Sequence, residues 1–291
     1  MLNECYELNN GVKIPKLGLG TWLIDNEKVV DVVKDALEVG YRHIDTAQAY
    51  GNEEGVGKAI RESGVPREEI FVTSKIAAEA KTYDEAYNSI VESLNKMGLD
   101  YLDLMIIHSP EPWAEFRGEK RYFEENKEVW RALETAYKEG KLKAIGVSNF
   151  LKDDLENILS SCKIKPMVNQ ILTHISNTKK ELIDFCKEHD ILVEAYSPIA
   201  HGAALKNETI KQMAEKYNVS VAQLCIRYVL ELGLVALPKA STKEHIIDNS
   251  KVDFEISEDD MKILKNMETI ENYGNDDFFP VFSGKNQKDN K

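Results

Sequence analysis

The chain has little with which to cross-link itself or to span a bilayer. Its 291 residues include four cysteines, Cys5, Cys162, Cys186 and Cys225, far apart and with no CxxC pair. Neither a disulfide framework nor a cysteine-built metal knot is indicated, and a reduced, cytoplasmic setting is the expectation. No apolar run approaches the roughly 20 residues that a membrane helix needs, and no apolar amino-terminal segment reads as a secretion signal. Positive charge is also scarce: 37 Lys and Arg stand against 50 Asp and Glu, a formal charge of -13. A field of that sign repels phosphate backbones and anionic membranes, and no local basic patch overrides it, so neither is an expected partner. The 43% hydrophobic content is ample for a full globular core.

What is present is an alternation. Asn9-Asn10-Gly11 separates two short apolar stretches and predicts an amino-terminal hairpin, read as a lid. After it, strand patterns near 17–20, 41–45, 70–74, 102–107, 143–147, 167–170, 191–195 and 234–237 alternate with helical ones, the last helix at 242–249. Eight strand–helix units in under 300 residues predict a single-domain (β/α)8 TIM barrel over 1–291, with a carboxyl-terminal extension over 268–291. A doubly wound open sheet is the rival. Against it, LGLGTWLID at the first strand-to-helix turn lacks the full GxGxxG pattern.

Barrel active sites are assembled at the carboxyl ends of the strands. There the second strand ends at Asp45, the third at Lys75 and the fourth at His108, each about one strand–helix unit from the next, and Tyr50 stands on the loop after Asp45. Each has a plainer reading, as a turn cap, a strand terminus or a core residue. Four such residues at one mouth in three successive units make chance a poor account. Chemically, a phenol is a sluggish acid at neutral pH unless a cation stands by it. Lys75 supplies that cation, and Asp45 offsets the cost of burying it. Tyr50 then suits a carbonyl oxygen that gains charge as hydride reaches carbon, with His108 as a second donor.

The pieces KLGLGTW (16–22), GYRHIDTAQAYGNE (40–53), FVTSK (71–75), DLMIIHSP (103–110), GKLKAIGVSNF (140–150), MVNQI (167–171), EAYSP (194–198) and LPK (237–239) stand in one order and spacing. In these the chain resembles the aldo-keto reductases, from its first strand to about residue 267. The resemblance implies a barrel that binds a nicotinamide cofactor without a Rossmann domain, reduces aldehydes or ketones with NADPH, and uses Asp45, Tyr50, Lys75 and His108 as its catalytic tetrad. It also implies that Ser148, Asn149 and Gln170 hold the carboxamide and that Tyr196 stacks on the nicotinamide. Ser197 and Thr21 would flank the pyrophosphate, Lys239 would bind the 2'-phosphate, and Asp248 and Asn249 would contact adenine. Trp22, Tyr50, His108 and Trp113 become the expected substrate wall. A small carbonyl compound is the expected partner, of a monomer or weak dimer.

The chain departs from the family pattern at three places. Ala240 and His245 stand where many NADPH-dependent members have Ser and Arg. Imidazole lacks the permanent forked charge of guanidinium, so some use of NADH is expected. Ser109 follows the catalytic histidine where many members have Trp, with Trp113 and Phe116 as replacements. Leu172-Thr173 stands in place of the Glu-Tyr that commonly follows the Gln-Ile pair.

Pocket walls are expected from the long loop 109–126, with Trp113, Phe116, Arg117, Tyr122 and Phe123, and from the apolar island Phe278–Phe282 of a tail (276–291) that would close over the mouth or meet a partner; the final GKNQKDNK is expected to be disordered. Two other classes compete. A metal-dependent barrel hydrolase would use His43, Asp45, His108, His174 and His201 as ligands, but no metal is expected. A non-catalytic nicotinamide sensor on the same fold is argued against by the intact tetrad. The resemblance also weighs against reduction of carbon–carbon double bonds, because relatives that do so carry glutamate in place of His108.

Overall fold

The computed structural model describes residues 1–270, 273 and 279–282. A two-stranded antiparallel hairpin, β1 (Cys5–Glu7) and β2 (Lys13–Pro15), opens the chain. Asn9 Nδ2 donates to the carbonyls of Pro166 and Asp190, and Asn10 Nδ2 to that of Lys143. Those carbonyls precede barrel strands, so the hairpin closes the amino-terminal end of the barrel. The lid expected from the sequence therefore lies at the end opposite the site.

Eight parallel strands follow: β3 (Leu19–Gly20), β4 (His43–Asp45), β5 (Phe71–Ile76), β6 (Leu104–Ile107), β7 (Ile145–Ser148), β8 (Val168–Leu172), β9 (Leu192–Tyr196) and β10 (Val235–Leu237). They pair in sequence order, and parallel bridges from Leu17 to Ala236 and from Gly20 to Lys239 join the last strand to the first. Side chains pack tightly there, because a Cβ on Gly18 would come within 2.7 Å of the Leu237 side chain and 2.8 Å of the His43 ring. Closure removes both sheet edges. Each expected strand is found.

The helices α1 (Lys28–Val39), α2 (Glu53–Glu62), α3 (Tyr83–Met97), α4 (Phe123–Lys138), α5 (Lys152–Leu159), α6 (Lys180–Glu188), α7 (Glu208–Lys216), α8 (Val221–Glu231) and α9 (Lys243–Ser250) cover the barrel. Their logic is local. In α1, Val29, Val32, Val33, Ala36 and Leu37 form one buried stripe, and Gly40, at φ 114°, ends the helix. In α3 a capping box joins Thr82 and Glu85. A tenth helix, α10 (Glu258–Lys265), is not among the expected elements; Ser257 caps it by accepting from the Asp260 amide. Ser-Glu-Asp-Asp is the signal that marks it. No helix among the described residues is long and apolar enough to cross a membrane.

Candidate active site

The register of four neighbouring strands, β3 to β6, assembles the first part of the site. Gly20 pairs with Asp45, Asp45 with Thr73, and Lys75 with Ile106, two residues before His108. Lys75 is wholly buried, and its ammonium donates to Asp45 Oδ1 at 2.5 Å, to the Thr46 carbonyl at 2.8 Å and to the Tyr50 hydroxyl at 3.3 Å. Three acceptors match its three protons. Burial opposes its charge, but Asp45 and Tyr50 outweigh burial and raise its pKa above the ordinary lysine value.

Tyr50 stands on a 3-10 turn (Gln48–Tyr50) that ends at Gly51 in the left-handed region, φ 67°. Gln48 ties this turn to α3 and β5 through the Ser89 carbonyl, Ser93 Oγ and the Ala77 amide. Because Tyr50 Oη accepts from Lys75, its own O–H can donate into the cavity. On sequence grounds Lys75 is expected to pull the phenol pKa down. In the ligand-free chain burial raises it and prevails over Lys75, so Tyr50 stands as a phenol with its proton in place. His108 lies edge-on to it, ring centroids 5.6 Å apart. Burial and the Lys75 charge hold His108 well below the usual imidazole pKa, so it is neutral.

A second polar group faces the first across the cavity. Ser148 Oγ donates to the Gln170 carbonyl at 2.8 Å. Asn149, at φ 60°, donates through Nδ2 to the His108 carbonyl at 3.0 Å and accepts from Tyr196 Oη at 2.7 Å. The Gln170 amide donates to Asp45 Oδ2 at 2.8 Å, which joins the two groups. Thr21 Oγ1 donates to the Asp45 carbonyl at 2.9 Å. Tyr50, Asn149 and Lys239 thus border one cavity of about 80 Å³, together with Thr21, Gln170 and Tyr196. Ser148 and Ser197 lie on it too.

The adenine end is more dispersed. Burial and nearby Lys28 depress the pKa of Lys239. His245 is exposed in the first turn of α9. The Asp248 carboxylate accepts from Ser220 Oγ at 2.7 Å and Gln223 Nε2 at 2.8 Å on α8. Asn249 is buried beside it. None of these three reaches the cavity.

Aromatic rings form the mouth. Trp113 stands edge-on to His108 with centroids 5.1 Å apart. Phe116 packs behind it, buried. Of the loop aromatics Trp113 alone lines the cavity; the loop itself spans 109–122, since α4 begins at Phe123. Phe279 meets Trp22, Tyr50, His108 and Trp113, and Phe282 stacks on Trp22 and His201. Tyr273 pins this segment by its hydroxyl to His174 Nε2. Phe278 and the stretches 274–278 and 283–291 lie outside the described residues. The candidate metal ligands have separate surroundings: His43 lies against Thr73 and Phe71, His174 against Tyr273, and His201 against Trp22. Among the described residues no group of three or more His, Cys, Asp or Glu is placed to hold a metal ion.

Comparison with known proteins shows the family of the chain. The profile of the Aldo/keto reductase family matches residues 16–269. The glyoxal reductase of Bacillus subtilis (strain 168) is 45% identical over 94% of this chain and 96% of its own. Among solved structures, an aldo-keto reductase from a Medee basin deep-sea metagenome superposes with a TM-score of 0.86 at 41% identity, covering 93% of this chain and 97% of that one. The Bombyx mori aldo-keto reductase in complex with NADP superposes with a TM-score of 0.83 at 34% identity, over 91% and 92% of the two chains. The chain belongs to the aldo/keto reductase family and is an NAD(P)H-dependent oxidoreductase that acts on carbonyl groups.

Proposed function

We propose that the protein reduces small aldehydes, dicarbonyls among them, with NADPH, and that Tyr50 is the general acid. The observation that carries this reading is the Asp45–Lys75–Tyr50 chain of hydrogen bonds, in which Tyr50 accepts from Lys75 and keeps its own proton free to donate in the cavity it lines. A substrate carbonyl seated beside Tyr50 and neutral His108 would accept two hydrogen bonds. The negative charge that grows on its oxygen would be met by the Tyr50 proton, backed by the Lys75 cation. Asp45 keeps Lys75 charged and fixed, and so acts on the proton indirectly. The glyoxal reductase relative supports the dicarbonyl class.

The residues present fit a nicotinamide cofactor, which supplies the hydride when bound. Ser148, Asn149 and Gln170 offer hydroxyl and amide groups on the cavity wall to a carboxamide, and Tyr196 offers a ring face beside them. Lys239, its pKa depressed by burial and by nearby Lys28, would gain from an anion and suits the 2'-phosphate. The Bombyx mori relative with NADP supports the choice of NADPH. With His245 in place of a guanidinium, NADH should be used as well. Phe279 and Phe282 line the cavity that the cofactor and substrate would enter. A monomer or weak dimer is part of this proposal.

The test follows nicotinamide absorbance while NADPH is offered glyoxal, methylglyoxal and a simple aldehyde, with and without a chelator. The expected result is turnover insensitive to the chelator. Substrate-independent NADPH binding with no turnover on any carbonyl would favour the sensor reading and overturn this one.

A further inference from the structure

Glu194 belongs to none of the roles assigned above, yet it is wholly buried beneath the cavity. On β9 it pairs with Gln170 of β8 on one side and Val235 of β10 on the other. The Gln170 amide nitrogen donates to Asp45 Oδ2 at 2.8 Å and to Glu194 Oε2 at 3.0 Å. Both amide hydrogens are then used. Asp45, ionised against Lys75, takes only donors, so the nitrogen must face it. Glu194 secures the same orientation from the other side, which leaves the Gln170 carbonyl oxygen for the cavity that the residue lines.

The ionisable groups facing Glu194 are His43 and Asp45 from β4 and Lys75 from β5; β8 and β10 present none. Lys75 and Asp45 balance one another. Burial, against the opposing pull of Asp45, holds His43 at about 4 and therefore neutral. A carboxylate at position 194 would be a second buried anion with no cation left to match it. Its Oε1 has no hydrogen-bond partner and lies 3.7 Å from His43 Nε2. Burial and the Asp45 charge raise Glu194 to about 8.

We propose that Glu194 is a positioning residue. It stands as a neutral acid that clamps the Gln170 amide toward the cofactor, and when it ionises it adds negative charge under the nicotinamide site, favouring the oxidised, cationic ring over the reduced one. The role toward the cofactor rests on the nicotinamide reading above; the neutral acid does not. By reciprocity, the oxidised cofactor makes Glu194 a stronger acid.

The test has two arms. In the ligand-free protein, infrared spectroscopy should show the carbonyl stretch of a protonated carboxylic acid at neutral pH, lost as pH rises through about 8 and absent in Glu194→Gln. Binding of NADPH and NADP+ is then titrated by fluorescence from neutral to alkaline pH. Both share the adenine and the 2'-phosphate, so the ratio of their dissociation constants isolates the ring. In the wild type the ratio should move toward NADP+ by about tenfold, an ordinary coupling between neighbouring sites, and in Glu194→Gln it should stay flat with neutral-pH affinities near wild type. Glu194→Leu, which frees the Gln170 amide, should weaken both cofactors at all pH values. An equal alkaline shift in Glu194→Gln, or no acid band at neutral pH, overturns the proposal. An acid band without binding of either cofactor overturns the nicotinamide reading instead, and with it the clamp.

Discussion

The floor and the mouth of this barrel are built by different means. On the floor, Asp45, Lys75, Gln170 and Glu194 sit on strands whose register is set by backbone pairing, and hydrogen bonds of 2.5 to 3.0 Å join them. At the mouth, Trp22, Trp113, Phe279 and Phe282 come from three segments far apart in the chain and meet through ring contacts. Hydrogen bonds between buried charges are directional and costly to break. Ring contacts are adaptable, each worth on the order of 1 kcal/mol beyond burial. The floor can therefore hold one chemistry while the mouth changes substrate, and the two should answer mutation differently.

The largest effect should come from breaking the floor. Lys75→Met removes the cation behind Tyr50 and leaves Asp45 unmatched, and kcat should fall by about 10³-fold, the middle of the range for a lost acid–base contribution. Steady-state kinetics at saturating substrate would show it. A loss confined to KM would put Lys75 outside proton transfer.

Acid should separate the two regions by stability. His43 on the floor and His174 at the anchor of the tail are both held at about 4 by burial. Unfolded, each would titrate near 6.5, so between about 6.5 and 4 the unfolded state binds more protons. Stability is full above that window and lost as pH falls through it, by about 3 kcal/mol for each histidine. Urea unfolding measured across the window checks this. A flat profile would contradict the neutral burial of both. Loosening of the Tyr273 segment before global unfolding, read by hydrogen exchange, would show that the mouth yields first.

At the mouth, Phe279→Ala should raise KM for aromatic aldehydes about tenfold while kcat for a small dicarbonyl changes little, as loss of one packed ring predicts. Equal kinetics across an aldehyde panel would remove Phe279 from the substrate wall. The smallest effect lies at the phosphate site. The paired changes Ala240→Ser and His245→Arg should increase the preference for NADPH over NADH severalfold, the worth of one exposed charge-assisted contact. A wild-type kcat/KM for NADH already several orders below that for NADPH would show that the clamp is not loosened.

The same contrast explains which features are legible in the sequence. Strand ends recur at regular intervals, so spacing alone brings Asp45, Lys75 and His108 to one mouth, and Tyr50 follows from its loop. The wholly buried Glu194 gives no such signal, because a single acid within a strand pattern looks like a solvent-facing residue until the barrel closes around it. Helix α10 does carry one, in Ser257 and the acids after it, but lies beyond the eight strand–helix units that the alternation defines. The loop 109–122 is legible as a wall, whereas which rings face inward depends on contacts between Trp113, His108 and Phe279 that no local pattern encodes. The hairpin is marked by Asn-Asn-Gly, while the end of the barrel it closes is settled by Asn9 and Asn10 reaching carbonyls more than 130 residues away. The net effect of burial on Tyr50 is likewise invisible, since sequence shows the neighbouring cation but not the dry cavity that outweighs it.

The central claim is that Tyr50 delivers the proton and does not hold the cofactor. Tyr50→Phe, saturated with NADPH and offered a small dicarbonyl, tests it most directly when single-turnover rate and NADPH dissociation constant are measured on the same preparation. The account predicts a rate lower by about 10³-fold or more with the dissociation constant within about twofold of wild type. A near-normal rate, or a rate loss matched by lost NADPH binding, would contradict it.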